Sequence, residues 1–300
     1  MTDPSTQPLT ESSAYEVLAD VCRRAGIEAA GAELIRLGSN AVFRLPKRVI
    51  VRIARDGETL DSAQRQVDVA RWLEREGYPA TRALELPQPM TAAGHVTTFW
   101  VSAAEDETYA PVDQVGDLIR RLHRLETPTV PALPDKKPFE ELAGRMSALP
   151  YLDPADAEFI RTKVDELADA YESLDFALPI GPVHGDANVG NVILDRDRNP
   201  LLIDLDNFAI GPREWDLVQT ALFYERFGWH TDDEYRAFVD AYGSDVMEWD
   251  GYSTLADYRE ITMTLWLAGK AASEPRAADE VHKRVETLRS GGDRREWKPF

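Results

Sequence analysis

The stretch Val183-His184-Gly185-Asp186-Ala187-Asn188-Val189-Gly190-Asn191 sets a carboxylate and an amide five positions apart in a glycine-containing loop, directly before an apolar run at 192–194. A second apolar run closes on Leu202-Ile203-Asp204-Leu205-Asp206, and the intervening Asp195-Arg196-Asp197-Arg198-Asn199-Pro200 has turn composition. The spacing predicts a β-hairpin with polar groups at both open ends. Because a hairpin returns to its own start, Asp186, Asn191, Asp204 and Asp206 are able to converge on one point. Phosphoryl transfer uses such a set: one carboxylate to orient and deprotonate a hydroxyl, and hard oxygen ligands for a magnesium ion on the phosphates. A metal-hydrolase site built on His184 is the competing chemistry. The five histidines, His95, His123, His184, His230 and His282, stand far apart with no H-x-x-x-H pair, which weighs against it.

Outward from the hairpin the chain changes character. After a polar tail to about Ser13, residues 14–25 read as a helix, and 33–37, 42–45 and 49–54 as short strands parted by Gly38-Ser39-Asn40 and Pro46-Lys47. Residues 61–76 carry Ala63, Val67, Ala70 and Leu73 at helical spacing and stop at Gly77 and Pro79. Residues 95–101 are strand-like. Beyond them helical patterns dominate, at 112–125, 139–148, 154–174, 216–227, 232–241 and 252–272, followed by a last helix from Arg284 and an aromatic tail, Trp297 to Phe300. The expected class is α+β, with a small antiparallel-sheet unit over 1–101, a mainly helical unit over 102–300 that the tail packs back on, and a joint near Ser102.

The motifs HGDANVGN, 184–191, and IDLD, 203–206, resemble the two catalytic motifs of the aminoglycoside phosphotransferase family, itself similar in fold to protein kinases. The resemblance covers nearly the whole chain. It implies a protein-kinase-like two-lobed fold and transfer of a nucleotide γ-phosphoryl group to a small-molecule hydroxyl. Matched residue by residue, it implies that Asp186 is the catalytic base, that Asn191 and Asp204 bind magnesium, with Asp206 as a further ligand, and that His184 braces the loop. Asp216 matches a position that accepts hydrogen bonds from the loop backbone, although a plain N-terminal helix acid explains it equally well.

The same resemblance extends upstream. Gly38-Ser39-Asn40-Ala41-Val42-Phe43-Arg44 is similar to the family's shortened phosphate loop, with Ser39 and Asn40 as its polar pair. Arg52 occupies the place of the kinase lysine, and arginine holds phosphate bidentately. Gln66 stands where the family has the glutamate that pairs with that cation, with Asp68 as a second candidate. Thr98 to Ser102 matches the strand entering the hinge, whose backbone would bond the purine of ATP or GTP, and either Phe99 or Trp100 walls the base or joins the core. The departures at positions 52 and 66 keep open a non-catalytic nucleotide-binding protein. A protein kinase is disfavoured by the lack of an HRD-type arginine and of an activation-length segment after IDLD.

Charge bears on partners. The net charge is −19, from 53 acidic and 34 basic residues, which argues against nucleic acid. Within it, residues 44–55 carry Arg44, Lys47, Arg48, Arg52 and Arg55 and no acid, and strand alternation puts Arg52 on one face with Ile50 and Ala54. Residues 214–260 hold twelve acids against three arginines, a setting for a cationic acceptor such as an aminoglycoside, another amino sugar, a nucleoside antibiotic or a choline-like alcohol. The interleaved Trp229, Trp249, Tyr252 and Trp266 are stacking surfaces or core. Cys22 is the sole cysteine, no stretch reads as a signal peptide or a membrane span, and a cytoplasmic, membrane-free protein is expected.

Overall fold

The computed structural model describes residues 9–38, 40–55, 58–105, 107–271 and 274–298, so Ser39 lies outside the described residues. In chain order its elements are α1 (Glu11–Ala25), β1 (Glu33–Leu37), β2 (Asn40–Leu45), β3 (Val49–Ala54), α2 (Leu60–Arg75), β4 (Met90–Ala92), β5 (His95–Val101) and α3 (Val112–Leu122). Then come α4 (Pro138–Arg145), α5 (Pro154–Glu172), β6 (Ile180–Val183), β7 (Val192–Leu194), β8 (Pro200–Leu202), β9 (Ala209–Pro212), α6 (Val218–Glu225), α7 (Asp232–Tyr242), α8 (Tyr252–Ala271) and α9 (Pro275–Ser290). They fall into two compact units: Met1–Ala110 with Leu125–Leu133 and Val189–Phe208, and Pro111–Arg124 with Pro134–Asn188 and Ala209–Phe300. The β7–β8 hairpin thus groups with the sheet rather than with the helices, a division other than the 101/102 boundary read from sequence.

In the first unit an antiparallel sheet runs in the order β1-β2-β3-β5-β4. Alternation sorts its side chains: Phe43, Val51, Ile53 and Phe99 are fully buried against Val17, Leu18 and Val21 of α1. Each such side chain contributes about 1.5–3 kcal/mol on burial. The opposite face carries Val42, Ile50, Arg52 and Trp100. Helix α1 starts at Glu11, ahead of the expected 14, because Thr10 and Ser13 form a reciprocal capping box. Strand β4 has no counterpart in the sequence reading. Three residues are too few for an alternation signal, and the strand exists by pairing Met90 to Thr97 and Ala92 to His95 across a turn with positive φ at Ala93 and Gly94.

In the second unit α3 packs along α7, and the approach is close: a Cβ on Gly116 would stand 2.7 Å from the Phe238 carbonyl oxygen. Helix α8 is buried on most of its circumference, through Leu255, Ala256, Tyr258, Ile261, Leu265 and Leu267, among α4, α5, α6 and α9. Of the tail, Trp297 packs back, buried beneath the Arg284 guanidinium at 4.9 Å and beside Phe227 at 5.3 Å, while Pro299 and Phe300 lie outside the described residues. Strands β6 and β9, absent from the sequence reading, pair antiparallel from Ile180–Pro212 to Val183–Ala209, and β6 leads directly into His184. No described helix is long and apolar enough to cross a membrane.

Candidate active site

In the first unit a cavity of about 670 Å³ opens on the polar sheet face, lined among others by Asn40, Arg52, Trp100, Ser102, Asn191 and Asp204. That volume suits a small-molecule ligand. The hairpin positions its floor. Strands β7 and β8 pair Val192 with Leu202 and Leu194 with Pro200, and the turn is held by Asp195 Oδ1, which accepts from Asp197 N at 2.9 Å and Asn199 N at 2.8 Å. At the open end Ile203 N donates to Asn191 O at 2.9 Å, which sets Asn191 beside Asp204. The apolar run expected to reach Leu205 ends as a strand at Leu202. Asp204 turns the chain with φ 63°, a left-handed conformation that costs a non-glycine residue about 1–3 kcal/mol. Leu205–Asn207 then form one turn of 3-10 helix.

Arg52 is the electrostatic centre of the cavity. Its Nη1 and Nη2 donate to Asp206 Oδ1 at 2.9 Å and Oδ2 at 2.7 Å, a two-pronged ion pair. Nη1 also donates to Gln66 Oε1 at 3.3 Å and stands 3.9 Å from Asp204 Oδ1. Gln66, buried on α2, passes the contact on, its Nε2 donating to Glu58 Oε1 at 3.3 Å. Burial alone would lower the Arg52 guanidinium, but the Asp206 hydrogen bond and charge, helped by Asp204 and Glu58, raise it above its ordinary value. Asp68, the alternative to Gln66, instead accepts from Gln64 and pairs with Arg71 on its own helix.

The remaining sequence-derived positions distribute simply. Asn40 and Ser102 are buried at the cavity, and Ser102 donates its N–H to Arg48 O at 2.8 Å and its hydroxyl to Ala104 O at 2.9 Å. Of the two aromatics at the end of β5, Phe99 is core and Trp100 lines the cavity, its Nε1 tied to Thr98 Oγ1 at 2.8 Å.

Among the described residues no three His, Cys, Asp or Glu side chains cluster as a metal site. Magnesium does not require one, because it keeps several waters and shares the phosphates' oxygens. Asn191 and Asp204, both at the cavity, the latter with 45% of its side chain exposed, supply an amide and a carboxylate oxygen of the right hardness. The chain therefore fits the ion with two ligands, while both Asp206 oxygens are engaged by Arg52.

In the second unit the loop after β6 is held by its backbone. Asp216, fully buried, accepts from His184 N at 2.7 Å and Gly185 N at 2.8 Å, as the sequence match implies. His123 Nε2 donates to Asp216 Oδ2 at 3.1 Å, and His123 Nδ1 shares a hydrogen bond with the Tyr242 hydroxyl at 2.9 Å. Burial alone would push the Asp216 carboxyl up, but His123 and His184 hold it below the ordinary aspartate value. Gly185 has φ 83°, open to glycine at little cost. His184 is fully buried, and its Nδ1 accepts from Asp186 N at 3.3 Å, a bracing role.

Asp186 itself keeps 35% of its side chain exposed, and Arg259 Nη1 donates to its Oδ1 at 3.2 Å. Arg259 also donates to Gly185 O at 2.7 Å and stacks 5.4 Å from the Trp215 ring. Sequence reasoning counted Arg259 only as one cation of an acidic stretch. At 73 positions from Asp186, on α8, it carries no motif that could have flagged it. The acids of that stretch are largely spent on structure: Glu260 is buried between Arg226 at 3.1 Å and Arg294 at 3.0 Å, Asp245 accepts from Tyr235, and Glu234 caps α7. Trp229 packs on Phe223 and Phe227, Trp249 on Phe176, and Tyr252 is buried, whereas Trp266 remains exposed beneath Lys270.

Comparison with known proteins adds a classification. The family model for APH, the phosphotransferase enzyme family, matches residues 33–258. No curated protein matches the chain. Solved structures do, among them the amicoumacin kinase hAmiN in complex with AMP-PNP, Ca2+ and Ami, at 13% identity and a TM-score of 0.69, covering 96% of this chain and 98% of that one. The aminoglycoside phosphotransferase APH(3'')-Id from Streptomyces rimosus matches at 18% identity and a TM-score of 0.64, over 85% and 99%. The choline kinase LicA from Streptococcus pneumoniae matches at 16% and 0.61, over 90% and 99%. At these identities the likeness is one of fold, the two-part kinase-like arrangement of a sheet region and a helical region expected from the motifs.

Proposed function

The chain belongs to the phosphotransferase enzyme family, small-molecule kinases acting on hydroxyl groups, and we propose that it moves the γ-phosphoryl group of ATP, or of GTP, onto an amine-bearing sugar of the aminoglycoside class. The observation that carries the donor side is the Ile203–Asn191 clamp, which sets an amide and a carboxylate oxygen in the same cavity as Arg52. In this reading Arg52 holds phosphate oxygens, Trp100 walls the base, and Asn40 and the backbone about Ser102 face the nucleotide. Asn191 and Asp204 would hold magnesium, which when bound offsets the charge on the phosphates. Asp186 accepts the proton of the attacking hydroxyl, with Arg259 and the Asp216-clamped backbone fixing where its carboxylate points.

The acceptor class rests on the net charge of −19, which favours cations at long range. Choline-like alcohols form the second class to test. A role in antibiotic resistance follows only if an antibiotic is the acceptor, and a cytoplasmic setting, where nucleoside triphosphates are plentiful, belongs to the same proposal. The test is magnesium-dependent phosphate transfer from ATP and GTP across a panel of aminoglycosides, nucleoside antibiotics, amino sugars and choline-like alcohols. Turnover of at least one member that vanishes in Asp186→Ala is the expected result. Equal turnover by the two proteins would remove Asp186 from the chemistry.

A further inference from the structure

In the kinase arrangement the phosphate-holding cation is a lysine, kept in place by a glutamate on the neighbouring helix. This chain changes both members, to Arg52 and Gln66. The changes are coupled by geometry. A lysine is a point charge that one carboxylate oxygen can hold, whereas a guanidinium is a planar fork best matched by both oxygens of a carboxylate. Gln66 offers a single amide oxygen, at 3.3 Å, and no charge. Left with that partner alone, a cation largely withdrawn from water would be poorly compensated.

The missing carboxylate is present from another direction. Asp206, two residues past Asp204, meets both Nη atoms at 2.9 and 2.7 Å, and Gln66 is left to bridge Arg52 to Glu58. Building on the nucleotide site proposed above, we infer that Asp206 is the positioning residue for Arg52, taking over the part played elsewhere by the helix glutamate, and is not a magnesium ligand. The five donors of a guanidinium suffice for Asp206, Gln66 and a phosphate oxygen together. Arg52 therefore presents a fixed edge to the phosphates while its anchor stays in place.

The experiment reads binding of ADP without metal, by calorimetry in a chelator, and of Mn2+ to the ADP complex, by electron paramagnetic resonance. Asp206→Asn is expected to weaken metal-free ADP binding about fivefold and to leave Mn2+ affinity within about twofold, and its effect on ADP should shrink below about twofold in an Arg52→Met background. Adding Gln66→Glu to Asp206→Asn returns a carboxylate to the helix and should restore ADP affinity, which a misfolded variant would not do. Asp204→Asn serves as the contrast, losing Mn2+ affinity. The inference is overturned if Asp206→Asn tightens ADP binding equally with and without Arg52, because Asp206 then merely repels phosphate. It is equally overturned by a loss of Mn2+ affinity like that of Asp204→Asn, or by no rescue from Gln66→Glu. Phosphate transfer enters none of these readouts, so failure of the catalytic proposal and failure of this one are told apart.

Discussion

The two units treat charge in opposite ways. In the second, two carboxylates are fully buried and saturated: Asp216 takes two backbone N–H groups and a histidine, and Glu260 takes two arginines. In the first, Arg52, Asp206 and Asp204 keep 21%, 30% and 45% of their side chains exposed at the wall of a cavity. Saturated charges fix a backbone, whereas half-open ones remain reachable from a cavity. Asp186 belongs with the second kind although it stands in the second unit, since it is one-third exposed on a loop whose backbone is clamped from behind. A rigid loop presenting an accessible carboxylate is what proton transfer from a bound hydroxyl requires.

The contrast is best broken at its extremes. Replacing Asp186 by alanine should lower kcat by about 10²–10⁴-fold with little change in thermal stability. A melting temperature that falls in step with activity would make the residue structural.

Asp216→Asn should do the reverse, costing about 3–5 kcal/mol of unfolding free energy by chemical denaturation. Because the Asp216 carboxyl is held below the ordinary aspartate value, its stabilising contribution is complete above an unfolded pKa of about 3.9 and fades as pH falls through the lower folded value. The asparagine variant should therefore show a flatter loss of stability on acidification, and an unchanged acid limb would count against the clamp.

Between the extremes lies Arg259→Met, expected to reduce kcat by about 10–100-fold with KM for the nucleotide held, since the partner lost is the one that aims Asp186. Partial recovery in Arg259→Lys would separate aiming from bulk. The smallest effect is expected for Trp266→Ala, within about 0.5 kcal/mol in stability because the side chain is exposed. A selective rise in acceptor KM there would recruit Trp266 to the acceptor site and sharpen the search for it.

How much of this was legible depends on where each interaction is encoded. The hairpin, the basic strand and the alternation of β3 follow from nearest-neighbour rules, and Val51 and Ile53 face the core while Arg52 faces the cavity as period-two reading requires. The loop over 184–191 could be picked out because its polar residues are contiguous. Strands β4, β6 and β9 could not be, since three or four residues form a strand only when a partner from elsewhere supplies the hydrogen bonds. Arg259 and the Arg52–Asp206 pair were hidden for a related reason. Polar contacts across 73 and 154 residues leave no periodicity behind.

The first unit is stitched from three chain segments, and the floor of its cavity arrives last. On the ribosome, the strand bearing Arg52 emerges 154 residues before Asp206, a gap of about 8–30 s at about 5–20 residues per second. Once β5 has followed, the sheet has its α1-covered core but still no floor opposite Ile50 and Trp100. Nascent chains stalled short of residue 208 should thus fold a sheet without acquiring nucleotide affinity, so that ligand binding reports completion of the first unit rather than the onset of folding.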